Sequence, residues 1–85
     1  MPSTATVTLL TRPGCHLCDA ARDIVTRVVA TSDRVTLVER SIEDDPALAE
    51  RYAEEIPVVL IDERVHNIWR VDEARLRQAL HEATQ

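Results

Sequence analysis

The sequence predicts an α/β layer fold in a single domain, residues 1–85, with the element order β-α-β-α-β-β-α. Three observations carry this. Stretches in which apolar and polar residues alternate are interleaved with stretches in which apolar residues recur at helical spacing. Asp45-Pro46 marks a helix start in mid-chain. Two strand-like runs, Pro57 to Ile61 and Arg64 to Ile68, are separated only by Asp62-Glu63, as in a hairpin.

The elements follow in order. Ala5 to Leu10 alternates Thr with Val and Leu, the pattern of a strand. Thr11-Arg12-Pro13-Gly14 is a turn. Leu17, Ala20, Ala21, Ile24, Val25, Val28 and Val29 then form one wide apolar stripe on a helix, which Thr31-Ser32-Asp33 ends. Val35 to Val38 is a second strand. In the second helix Asp45 is the cap, Pro46 takes the first helical position, and Leu48, Ala49, Tyr52 and Ala53 supply a short apolar face. Tyr52 is assigned to the core. The continuous apolar run Pro57 to Ile61 reads as a strand buried on both faces. Asp62-Glu63 serves as its turn although neither residue is Gly, and Arg64 to Ile68 returns. Asp72 caps a last helix that turns Leu76, Ala79 and Leu80 inward. The charged segment Glu39 to Asp45 reads as a solvated edge or a docking strip.

Composition narrows the function. The formal net charge is −5, which argues against nucleic acid as a partner. All ten basic residues are Arg, which we read as the codon usage of a GC-rich genome. Met1-Pro2-Ser3-Thr4-Ala5 lacks the basic start and apolar core of a signal peptide, and no run is long enough to span a membrane. A cytosolic, bacterial-type setting is the expectation. The two cysteines are near neighbours, so a bridge between them closes a very short loop. A secreted disulfide scaffold would spread its cysteines along the chain.

Cys15-His16-Leu17-Cys18 lies where the first strand ends and the first helix begins. The free N–H groups and dipole of a helix N-terminus favour thiolate, the species that attacks disulfides. Cys15, at the helix mouth, is expected to be the exposed thiol and Cys18, at the edge of the apolar stripe, the half-buried one. Arg12 is close enough in sequence to support a thiolate at Cys15, and His16 to tune the pair. Metal binding is the other chemistry open to two thiols. A closed zinc site needs four ligands, and His16, His66 and His81 sit at no recognised spacing. A zinc or cluster shared between two chains therefore stays open, as does an adaptor that keeps the dithiol without turnover.

The element order, the dithiol after the first strand and the proline at the start of the third resemble the glutaredoxin branch of the thioredoxin fold. Thr11-Arg12-Pro13-Gly14-Cys15-His16-Leu17-Cys18-Asp19 is similar to the active-site segment of small bacterial glutaredoxin-like proteins. Ile56-Pro57-Val58 resembles the segment that carries the family's cis-proline, facing the dithiol. The resemblance implies a four-stranded mixed sheet flanked by helices and a monomeric thiol–disulfide oxidoreductase. In it Cys15 attacks, Cys18 resolves, Arg12, His16 and Pro57 support, and Ile56 and Asp72 meet substrate. No tightly bound cofactor is implied. A disulfide-containing protein is the expected substrate, with glutathione, another low-molecular-weight thiol or a flavin-dependent reductase as electron donor.

One departure bears on specificity. Where typical glutaredoxins carry a Gly-Gly pair that cradles glutathione, this chain reads Val65-His66-Asn67-Ile68-Trp69-Arg70-Val71-Asp72. The resemblance therefore supports dithiol chemistry further than it supports glutathione. Trp69 has two readings, a core aromatic or a wall of the active-site mouth. If the fourth strand returns to the dithiol, Asn67 and Trp69 border that mouth.

Overall fold

The structure, a computed structural model, describes residues 3–85. The reading that excludes a leader rests on Met1 to Ala5, of which Met1 and Pro2 lie outside the described residues. The elements are β1 (Ala5–Thr11), α1 (His16–Val29), β2 (Val35–Ser41), α2 (Pro46–Tyr52), β3 (Val58–Ile61), β4 (Arg64–Ile68) and α3 (Glu73–Ala83). The strands form one mixed sheet in the order β2-β1-β3-β4. β1 and β2 are parallel, joined across α1, while β3 runs antiparallel to both β1 and β4.

Strand alternation sends neighbouring residues to opposite faces. Val7, Leu9 and Val59 pack with Ala21, Val25 and Val28 of α1 and with Leu76 and Leu80 of α3. Leu10, Val58 and Leu60 pack on the other face with Tyr52, and α2 adds Leu48 and Ala49. The sheet is thus covered by α1 and α3 on one side and α2 on the other. Among the described residues no helix is long and apolar enough to cross a membrane.

Three details differ from the sequence reading. β2 continues to Ser41 instead of stopping at Val38, because its ladder with β1 persists to the pair Thr11–Ser41. An edge strand can carry Glu39 and Arg40, which face solvent. Second, the charged segment is not simply a solvated edge. Glu39 accepts from Arg22 at 2.7 and 2.8 Å and from the Thr11 hydroxyl at 3.1 Å, which ties β2 to α1. The Arg22 hydrogen bonds, and then that of Thr11, hold the Glu39 carboxyl below its usual value despite partial desolvation. Ile42, in a short 3₁₀ turn (Ile42–Asp44), is buried among charged neighbours. Third, Ala53 lies past the end of α2 and is exposed.

The Asp62-Glu63 hairpin forms without glycine. Both residues have positive φ, 49° and 72°, as a two-residue turn matched to the strand twist requires. Asp62 is anchored in that geometry by two bonds with Thr6, each 2.9 Å: its N–H donates to the Thr6 carbonyl and its carboxylate accepts the Thr6 N–H.

α1 and α3 are clamped by Glu73, which accepts from Arg27 at 2.7 Å and Arg77 at 2.9 Å. Hydrogen bonds from Arg27 first and Arg77 second bring the Glu73 carboxyl down from 4.5 to about 2. A carboxyl depressed in the folded state stabilises it above the unfolded pKa, and loses that contribution as pH falls through the folded pKa. The window here runs from 4.5 down to about 2. The clamp is solvent-accessible, so its contribution is small. Glu73→Gln is expected to lower the thermal midpoint slightly at neutral pH. The variant and wild-type curves should then converge as pH falls toward the bottom of that window. A gap that persists there would assign the effect to packing instead.

Candidate active site

β1 ends at Thr11, and Gly14 turns the chain into α1 with φ +75°, a left-handed conformation that glycine adopts without steric cost. Cys15 is the N-cap of α1 with extended backbone. Its Sγ accepts the Cys18 N–H at 3.2 Å. The two cysteines are paired as a disulfide, with Cα atoms 5.2 Å apart.

The two sulfurs differ in access. Cys15 is half-buried, and Cys18 is 0 % exposed. Full burial of Cys18 corrects the half-buried position expected for it. The reason is the phase of α1: its buried face is Cys18, Ala21, Val25 and Val28. Leu17 and Ala20, expected in the buried stripe, are exposed, with Leu17 at 43 %. The apolar stripe is therefore wider than the core it covers.

Around the dithiol, Cys18 belongs to the cluster of Leu10, Ile42, Tyr52 and Ile56, with Cys15 packed against it. The Ile56–Pro57 peptide bond is cis, as the resemblance implied. Ile56 is buried, in the same cluster as Cys18. The Pro57 carbonyl accepts the Trp69 N–H at 2.8 Å, tying the proline loop to the end of β4. Arg12 and His16 are exposed on either side of the turn. Asp72 caps α3, accepting the Arg75 N–H at 3.1 Å. Asn67 pairs with Val59 in the sheet and so faces the α1–α3 side, half-buried.

Trp69 is not a core residue: it is 53 % exposed. Its indole Nε1 donates to the Glu54 carbonyl at 3.0 Å. Its φ is +65°, a left-handed conformation that costs a residue with a Cβ roughly 1–2 kcal/mol. Next to it, the Arg70 N–H donates to the Ile68 carbonyl at 2.9 Å, closing a tight turn over Trp69. Between α1 and the segment after β4 lies a cleft of about 200 Å³, lined by Leu17, Ala20, Ala21 and Ile24 on one side and Trp69, Arg70 and Val71 on the other.

Sequence reasoning missed Ile42, an isolated apolar residue in a charged run, and the outward turn of Leu17. It did single out Trp69. His66, the extra residue of a β-bulge in β4, is half-buried, and burial first and Arg75 second push its imidazole below the usual value. Among the described residues no three His, Cys, Asp or Glu side chains group to hold a metal ion.

A mixed sheet in this order, with a cysteine pair opening the first helix, defines a protein of the thioredoxin fold. A thioredoxin mutant from Halobacterium salinarum aligns with a TM-score of 0.73 at 16 % identity, over 98 % of this chain and 77 % of that one, which speaks to fold alone. Within that fold the chain belongs to the glutaredoxin-like domain (DUF836) family, matched over residues 6–81. It is 33 % identical over 85 residues to an uncharacterized protein of Mycobacterium tuberculosis, spanning 92 % of this chain and 84 % of that protein. The structure of target protein XcR50 from X. campestris is similar at 32 % identity and a TM-score of 0.72, covering 91 % of this chain and 97 % of that one.

Proposed function

We propose that this chain is a cytosolic, monomeric thiol–disulfide oxidoreductase that reduces protein or low-molecular-weight mixed disulfides. The observation that carries the reading is the asymmetry of the pair: Cys15 is reachable at the helix mouth, and Cys18 is fully buried behind it. Only Cys15 can meet a substrate. Cys18 can meet only Cys15.

The chemistry follows. The Cys15 thiolate attacks one sulfur of the substrate disulfide. A Cys15–substrate S–S bond forms, the substrate S–S bond breaks, and the second substrate sulfur leaves as thiolate. The Cys18 N–H aimed at Cys15 Sγ, with the helix dipole behind it, favours negative charge on that sulfur. Arg12, exposed three residues before Cys15, supplies a cation on the same turn. Cys18, deprotonated, then attacks Cys15 Sγ and releases the first substrate thiolate. The dithiol is oxidised by two electrons, the substrate is reduced by two, and the thiolates take up the protons released. A low-molecular-weight thiol or a flavin-dependent reductase returns the electrons. In this reading Pro57 and the Ile56 backbone line the path to Cys15, His16 tunes the pair, and Asn67 and Asp72 flank the substrate.

The test compares electron donors. Reduction of a protein disulfide is followed with glutathione, with mycothiol, and with a thioredoxin reductase and its nicotinamide donor. Turnover above the protein-free rate is expected in at least one system. No turnover in any, with the dithiol verified as reduced, would contradict the proposal and favour a binding module built on the same cysteines.

A further inference from the structure

We infer that Glu39 is a positioning residue for the dithiol: it holds both ends of the active-site turn and so favours closure of the Cys15–Cys18 disulfide. The inference rests on the oxidoreductase reading and adds what sets the balance between the two states of its cysteine pair.

The geometry supports it at each end of the turn. Glu39 stands on β2 opposite Leu9 of β1, and therefore on the face of the sheet that carries α1. The turn begins at Thr11, the last residue of β1. Thr11 is 4 % exposed, and its hydroxyl donates to Glu39 Oε2 at 3.1 Å. The turn ends in the first turn of α1, where the Asp19 N–H donates to the Cys15 carbonyl at 3.2 Å. Glu39 reaches this end through Arg22. Arg22 Nε donates to Glu39 Oε1 at 2.7 Å and Nη2 to Oε2 at 2.8 Å, a two-bonded fork. Arg22 Nη1 donates to the Asp19 carboxylate at 2.8 Å. One carboxylate thus fixes Thr11 before the dithiol and, through Arg22, Asp19 after it.

The chemistry follows from that placement. Breaking the Cys15–Cys18 bond frees the segment between its fixed ends. The less freedom the reduced segment gains, the higher the effective concentration of one thiol at the other, and the more the disulfide is favoured. A two-bonded arginine–carboxylate pair fixes geometry as well as contributing energy. Loss of Glu39 also leaves the Thr11 hydroxyl, in a buried residue, without its acceptor. The network is partly open to solvent, so its influence is moderate.

The experiment equilibrates the full chain with glutathione buffers of known ratio, alkylates free thiols and counts them by intact mass. Two electrons and two protons pass from the Cys15 and Cys18 thiols to glutathione disulfide, which gives the Cys15–Cys18 bond and two glutathione thiols. Glu39→Ala should lower this equilibrium constant about fivefold. That moves the reduction potential of the pair about 20 mV to less negative values. Glu39→Gln, which keeps one acceptor oxygen, should fall between Glu39→Ala and wild type. Thr11→Val, which releases one end only, should shift the equilibrium in the same direction by less. Adding Arg22→Ala to Glu39→Ala should shift it little further, because both remove one fork. Glu73→Ala is the control. It breaks the clamp between α1 and α3 made by Arg27 and Arg77, and should leave the equilibrium at the wild-type value. No shift in Glu39→Ala, or an equal shift in Glu73→Ala, would overturn the inference. Turnover of a protein disulfide is measured separately. An unshifted equilibrium in Glu39→Ala with normal wild-type turnover sinks the inference alone. A shifted equilibrium in a chain whose wild type turns over no disulfide sustains the inference and sinks the oxidoreductase reading.

Discussion

Cys15→Ser is expected to abolish disulfide reduction. Cys15 is the only sulfur of the pair with solvent access, and Cys18 is sealed beneath it by Leu10, Ile42, Tyr52 and Ile56. A serine hydroxyl at the helix mouth does not ionise near neutral pH and does not exchange with disulfides. Cys18→Ser should behave differently. It retains the attacking sulfur and loses the one that completes the cycle, so the first step proceeds and the second does not. Rates measured with the best donor check both variants. Full activity in Cys15→Ser would mean that the burial asymmetry does not assign the roles.

The largest effect on stability is expected at Leu76. This side chain of α3 is 0 % exposed and packs in the cluster of Val7, Leu9, Val25 and Val59. Leu→Ala in such a site costs about 2–5 kcal/mol, from the lost burial and the cavity left behind. Small domains hold only about 5–15 kcal/mol in total. Leu76→Ala should therefore lower the urea midpoint severely. Leu17→Ala, at an exposed position of α1, should change stability by less than about 0.5 kcal/mol. Similar shifts for the two variants, measured by urea denaturation, would contradict the division between core and surface drawn here.

Much of the fold was legible because local signals agree. Asp45-Pro46 caps α2 as read, with the Asp45 carboxylate accepting the Ala47 N–H. Asp72 caps α3 in the same way. The continuous run of β3 is explained by its place between β1 and β4, with a helix layer on each face. What the sequence did not disclose is set by tertiary context. The apolar stripe of α1 admits two phases, and only docking on the sheet decides that Cys18 turns in and Leu17 turns out. The extension of β2 through Glu39 and Arg40 depends on its ladder with β1, which no local pattern encodes. Glu39 looked like one solvated charge among many, yet it bonds a residue of α1 distant in sequence.

The dithiol and the direction of its asymmetry were read from the motif and its place on the helix, and the complete burial of Cys18 only from the packed structure. Trp69 was ambiguous for a physical reason. An isolated large aromatic near the end of a strand fits a core or a groove equally well. Its left-handed backbone, bonded to Pro57 and Glu54, is invisible in a sequence pattern because glycine is the residue that usually signals such a turn.

The central claim, that Cys15 attacks and Cys18 resolves, is tested most directly by the intact mass of Cys18→Ser after exposure to a peptide disulfide. One peptide should be added per chain through an S–S bond, mapped to Cys15 by digestion and released by reductant. No adduct on Cys15 while the wild type turns over the same peptide would contradict the account.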